Sequence, residues 1–380
     1  MFREIIRGKL FKFTLLALAA ALIITAVCSL NSFDKAELVS TSGRTFERAQ
    51  VTEIIEDNLQ EDGNRYGNQR VMLYIKSGAL KGQTVEATSS NGTLFGAACR
   101  DGMSVIAIVS VSGESSVVTV YSQDRTVPII CFVLIFILSL WLVGGKKGLK
   151  SALCLGVSIV SVFLVFFPLV YRGFSPFWGA VIVAALSTFV TIFTVGGVNA
   201  KSLAAIAGTM FGVCMAGAAA SLFGLAAGIS GYNVSEIESL LFVAQHSNIQ
   251  IGGLLFAGVL ISSLGAVMDV GMSIASTLNE IHEKKSELSS SELFISGINV
   301  GRDMMGTMSN TLILAFAGGS VITLMINYAY DLPLNQVLNS YNIGIEIMQG
   351  ISGSLGIILT VPFTSFAASR LLKRKDKERK

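Results

Sequence analysis

The chain has 380 residues, of which 52% are hydrophobic and only 14% charged, with a mean hydropathy of +0.66. A soluble domain carries about 25% charged residues, so this composition excludes an ordinary soluble fold for most of the chain. The net charge of +3 is small, and the basic residues cluster beside apolar runs, a pattern of membrane orientation and not of nucleic-acid binding.

The 38 glycines and 5 prolines suit tightly packed membrane helices. Cys28, Cys131, Cys154 and Cys214 lie in or near apolar runs, and only Cys99 lies in a polar segment. No disulfide framework or CxxC pair is therefore expected. His246 and His282 are too few and too scattered for a histidine metal site, and neither a metal nor another cofactor is expected.

In chain order, residues 1–30 open with Arg3, Arg7, Lys9 and Lys12 and continue into an apolar run from about Phe13 to Leu30. About 20 residues cross a bilayer, so this run reads as an uncleaved anchor. A cleavable signal peptide, with small residues at Ala26 and Cys28, is the alternative. Residues 31–126 are polar and alternate in Arg70–Lys76, Ser104–Ser110 and Ser116–Tyr121, with a turn at Ser77-Gly-Ala-Leu-Lys-Gly82 leading into Gln83–Ala87. Short strands with glycine turns predict a small extracytoplasmic β domain, OB-like or another small barrel. Its mixed charge and lack of an aromatic run argue against nucleic acid as a partner.

Apolar spans follow at about 127–143, 151–171, 177–196, 202–227, 251–275, 304–327 and 343–368. The expected fold class is thus an α-helical integral membrane protein of about eight spans, with a seven-span bundle over 127–368 and a basic tail over 369–380. Lys146, Lys147, Lys150, Lys201, Lys284, Lys285, Arg302 and the tail all fall on one side, while the loops near 229–250 and 328–342 carry no Lys or Arg. The positive-inside rule puts both termini in the cytoplasm and 31–126 outside. Ser235–Gln245 reads as a short interfacial helix, and Thr277–Leu288 as a charged helical continuation of the sixth span.

Several spans carry stripes. The fifth has Gly208, Gly212, Ala216, Ala220, Gly224 and Gly228 at every fourth position, the small-residue pattern of close helix packing. The sixth aligns Gly258, Ser262, Gly265, Asp269, Ser273 and Ser276; the seventh aligns Asp303, Thr307, Asn310, Thr311 and Gly318; the eighth aligns Glu346, Gln349, Gly353, Gly356, Thr360 and Thr364. Interhelical hydrogen bonding accounts for the hydroxyls but poorly for Asp269, because a carboxylate at membrane depth is costly. Asp303 reads either as part of a polar site or as an acid near a helix N-terminus. Arg302 reads as a cytoplasmic anchor or as a gate or ion pair with Asp303.

Catalytic motifs fail. Gly228-Ile-Ser-Gly231 and Gly350-Ile-Ser-Gly353 look like the GxSG of rhomboid proteases, but neither histidine lies in a span to serve as a base. No HExxH or Walker A motif occurs, and the GxGD of membrane aspartyl proteases is missing. No enzymatic activity is expected. The segments Met268-Asp-Val-Gly-Met-Ser-Ile-Ala-Ser276 and Gly301-Arg-Asp-Met-Met-Gly-Thr-Met-Ser-Asn-Thr-Leu-Ile-Leu-Ala315 together resemble the YibE/F family of bacterial multipass membrane proteins. The resemblance covers nearly the whole chain and implies its architecture and a bacterial membrane location, with no catalytic residue to carry over. The residues themselves suggest a permease-like protein for a solute or ion, with proton or cation coupling at Asp269, Asp303, Thr307, Asn310 and Thr311. The alternative is a non-transporting scaffold whose outer domain binds a membrane or envelope protein.

Overall fold

The computed structural model describes residues 25–33, 35, 37–38, 43–61, 64–90, 96–112 and 115–379. They fall into two compact units, one holding the described residues before 36 and from 140 onward, the other spanning 37–139. Most of the expected first span lies outside the described residues; residues 25–31 are helical.

The second unit is a closed five-stranded barrel of β1 (Arg44–Glu56), β2 (Asn68–Ile75), β3 (Thr84–Ser90), β4 (Ser104–Ser112) and β5 (Ser115–Gln123), in the order β1-β2-β3-β5-β4. All pairings are antiparallel except β3 with β5. Alternation makes it close: Val71, Leu73 and Ile75 point inward with no exposed surface while Arg70 and Tyr74 face out, as a period of two requires. Register shifts in β1 after Val51 and after Ile54 mark bulges, which bend a strand around a barrel. Gln69 closes one end. Its amide is buried, donates to Asp57 at 2.8 Å and accepts the Cys99 N–H at 2.7 Å. The expected small β barrel is present. Its longest strand, β1, contains little alternation and was not among the runs that the sequence singles out.

The first unit is helical. α1 (Thr126–Ser161), whose residues up to 139 are grouped with the other unit, passes through a π-helical turn at Val162–Phe166 into α2 (Phe167–Tyr171). α3 (Pro176–Gly196) and α4 (Ala200–Ala227) follow, then the short α5 (Ile237–Gln245). α6 (Leu254–Lys284), α7 (Ser290–Gly319), α8 (Val321–Ala329), α9 (Leu334–Leu338) and α10 (Tyr341–Arg379) complete the chain. Local chemistry sets the ends. Asn199 caps α4 by accepting from Ser202 N–H at 2.9 Å, and Gly228 ends it at φ 65°. Ser289 and Glu292 form a reciprocal capping box for α7, which satisfies free N–H groups at a helix start.

Among the described residues five helices are long and apolar enough to cross a membrane, or six if α7 and α8 count as one span bent by 59°. Three expectations change. The stretch 126–171 carries two expected spans without a loop, interrupted only at Gly145, whose backbone is non-helical (φ 55°, ψ −136°). Gly148 there packs against the Leu140 backbone, which a straight helix would hold about 12 Å away, so the axis turns at this glycine pair. α7 begins at Ser290 and not near Met304, because the capping box nucleates it earlier. Asp303 therefore lies well inside a helix, about 20 Å from its start, and does not cap one.

α10 is central, packing along α4, α7 and α6. A side chain at Gly208 would overlap the Thr364 hydroxyl, and one at Gly212 the Thr360 hydroxyl and, at 2.8 Å, the Gly356 carbonyl. Gly224 similarly faces the Phe256 ring at 2.8 Å. Glycine is thus needed where α4 meets its neighbours. Leu260, Ile274, Leu278 and Ile357 fill the core beside this seam.

Two outcomes follow from these contacts. Gly212→Leu should cost roughly 1–3 kcal/mol, the scale of overpacking, and deplete folded protein in membranes. Gly258→Leu, on open space, should leave abundance unchanged; equal abundance of both variants would refute the seam. Residues 37–125 expressed alone should give a β-type circular dichroism spectrum with cooperative unfolding. Leu73→Ala in that fragment should lower its stability by about 2–5 kcal/mol.

Candidate functional site

α7 stops at Gly318-Gly319-Ser320, and α8 leaves at 59°. Two glycines in succession hold a helix poorly. The Ser320 N–H reaches the Phe316 and Ala317 carbonyls, both at 3.2 Å, so the last turn tightens and then ends. A helix end leaves carbonyls without an intrahelical donor and carries partial negative charge.

A cleft of about 380 Å³ lies beside this break. Its polar wall is Ser320 and Thr323 from the break, Ser235 from the loop before α5, and Asn342, Glu346 and Gln349 from α10. Spacings of four and three residues put the last three on one face of α10. Leu255 at the start of α6, with Ile343 and Ile345, forms the apolar wall. No Lys or Arg lines the cleft among the described residues. Glu346 is half-buried, with no hydrogen bond or ion pair to any described residue.

The residues singled out from the sequence lie elsewhere. Asp269 stands at the middle of α6, about 22 Å from its end at Lys284. Thr307, at a similar level, is about 26 Å along α7 from Ser290. The two columns thus share a depth, but the chain does not join them. Asp269, Arg302, Asp303, Thr307, Asn310 and Thr311 are all exposed on the single chain, and no hydrogen bond or ion pair links one column to the other among the described residues. Thr307 and Thr311 hydroxyls donate to the Met304 and Thr307 carbonyls of their own helix, at 3.0 and 2.9 Å. Arg302 and Asp303 are consecutive, so their side chains diverge around the helix, and no ion pair joins them. Gly258, Gly265 and Gly306 on the same faces meet open space.

The stripe of α10 divides in two. Thr360 and Thr364 are fully buried against α4, and Thr360 donates to the Gly356 carbonyl at 2.8 Å. That lower half is packing. The upper half, Glu346 and Gln349, turns toward the cleft. The sequence reading placed both in a stripe but did not assign them to a site, because the break at Ser320 is a tertiary fact. Its local signal was Gly318-Gly319-Ser320. The serines of the two GxSG segments have no histidine beside them: Ser230 bonds Asn233 at 3.0 Å, and Ser352 is buried in α10.

Residues 132–374 match the model of a family described as YibE/F-like protein. No curated protein and no solved structure matches the chain. Because no hydrogen bond or ion pair joins the two exposed columns among the described residues, Asp269→Asn and Asn310→Ala should leave membrane abundance and thermal stability within about 0.5 kcal/mol of the unaltered protein. A marked loss of folded protein in either variant would mean that its side chain holds the bundle together.

Proposed function

The chain belongs to the YibE/F-like protein family, and we propose that it is a permease-like multipass protein of the bacterial cytoplasmic membrane. The observation that carries this reading is the broken helix α7–α8 beside a polar cleft whose carboxylate has no partner among the described residues. Non-helical backbone among membrane helices is tolerated where it is buried in protein or lines a water-filled cavity, and discontinuous helices build the binding sites of many transporters. The lysine and arginine asymmetry supports cytoplasmic termini. It puts the cleft, where α6 and α10 begin and α7 ends, at the outward mouth of the bundle.

Asp269, Thr307 and Asn310 then form a second polar element at mid-depth. A carboxylate in the middle of an apolar helix is costly against lipid, so this face borders water or another protein in the membrane. In the permease reading Asp269 takes up the coupling proton or cation as the solute passes. Arg302, nearer the cytoplasm, guards the inner exit.

A scaffold reading stands second. It is favoured by one observation, the barrel's being a compact unit of its own, as a partner-binding outer domain would be. The test is a solute-uptake and toxicity screen of a deletion strain against complemented strains. Glu346→Gln should reduce the complemented phenotype roughly tenfold or more, the scale of replacing a charged partner by a neutral one, at unchanged abundance. If Asp269→Asn is abundant and fully active, the coupling role of Asp269 is refuted and the scaffold reading moves ahead. Full rescue by the barrel on an unrelated anchor would refute transport and establish the scaffold.

A further inference from the structure

We propose that the cleft at the α7–α8 break is a binding site for a monovalent cation, with Glu346 as its charged ligand. The proposal deepens the permease reading and rests on it for the cleft's use, although binding itself can be measured without transport. Three observations point the same way.

The first is charge. The cleft contains one carboxylate and no described Lys, Arg or His, so its formal charge is −1 and an anion has no counter-charge there. The second is donor chemistry. Ser235, Ser320, Thr323, Asn342 and Gln349 each bring an oxygen to the wall. Neutral oxygens around a single carboxylate suit a hard, singly charged ion. Calcium and magnesium sites use more carboxylates, and zinc and copper call for the imidazole or thiolate that this wall lacks. The third is vacancy of partnership. Glu346 makes no hydrogen bond or ion pair to a described residue, whereas Glu280, at the far end of the bundle, is paired with Lys284 at 2.9 Å.

The volume narrows the class. About 380 Å³ exceeds a bare ion and would hold roughly a dozen waters at about 30 Å³ each. It fits a partly hydrated alkali cation or the ammonium group of a small organic amine. Both present a single positive charge to Glu346 and accept the same oxygens. Ser320 and Thr323 flank the break itself, so occupancy would bridge α8 to α10 and hold the bend.

The experiment uses the full chain purified in detergent. Thermal unfolding is followed at constant ionic strength while N-methylglucamine chloride is replaced by sodium, potassium or methylammonium chloride. A saturable rise in Tm with at least one of them is expected, because a ligand that binds only the folded state stabilises it. Response to sodium or potassium alone identifies a metal cation; response to methylammonium alone identifies an amine site. Glu346→Gln should weaken the apparent affinity roughly tenfold or more. Gln349→Leu keeps the charge and removes one oxygen, so it should weaken the response less and serves if the first variant is poorly folded. No Tm response of the unaltered protein to any of the three cations, or undiminished affinity in both variants, would overturn the site. Uptake into proteoliposomes separates the two readings. Saturable binding without any flux refutes the permease and leaves the cation site standing, whereas flux without cation binding refutes the site and leaves the permease.

Discussion

The helical unit depends on how closely α4 and α10 approach. With no water between helices in hydrocarbon, association rests on van der Waals contact and interhelical polar contacts, and both need backbones to come near. Gly208 and Gly212 admit Thr364 and Thr360 to that distance. α6 packs against both helices of the seam, and α7 against α10. The position of every polar group in the bundle follows, because α10 has one buried length and one free length. Thr360 and Thr364 fall in the first, Asn342, Glu346 and Gln349 in the second.

The break at Ser320 has a matching cause. α7 packs on α10 through Gly297 against Ser365, Gly301 against Val361, and Leu312 against Gly353. Beyond Leu312 its residues are mostly exposed, and two glycines remove the side chains that would continue the contact. Past Ile313 and Phe316, which still reach α10 beside Gly350, the helix has little left to pack against and little propensity to persist. α8 therefore diverges, and the space between it and α10 is the cleft. A site of this kind is a consequence of packing that ends, which is why its polar residues look unremarkable one helix at a time.

That also explains what could be read in the residues alone. Period-two alternation in Arg70–Lys76 and Ser104–Ser110 reports a local property, so β2 and β4 were legible. β1 was not, because its outward and bulged positions, such as Thr52, Glu53 and Glu56, interrupt the alternation around Ala49 and Val51. The stripe of α4 was legible because spacing alone puts its glycines on one face. The start of α7 was obscured because Ser289–Arg302 is too polar to look like part of a span, although Ser289 and Glu292 are a capping pair. Hydropathy selects Asp269 as the conspicuous acid because its neighbours are apolar. It passes over Glu346 because Asn342 and Gln349 make the vicinity ordinary. Yet three polar residues on one helix face beside a break make a cleft, while one acid on an open face makes a boundary condition for whatever lies next to it.

Glu346 and Asp269 are also set apart from the bundle's bases along the helices. Lys284, Lys285 and Lys373 gather where α6 ends and α7 begins, and Lys373 donates to the Ser286 carbonyl at 2.6 Å. The basic groups thus crowd the turn on the side opposite Glu346. Coulombic attraction between them and Glu346 is weak, since more than about 40 Å of helix separates the two ends. In the proposed orientation a cation arriving from outside meets Glu346 first, then the Asp269 level, and only afterwards the turn between α6 and α7. The order is two carboxylate levels followed by a turn of mixed charge, where Glu280, Glu283, Glu287 and Glu292 accompany the lysines. Such an order favours retention over free passage. A permease built this way has to move a helix or change a charge to release its ion inward, and the element with the least packing to lose is the upper end of α7 with α8.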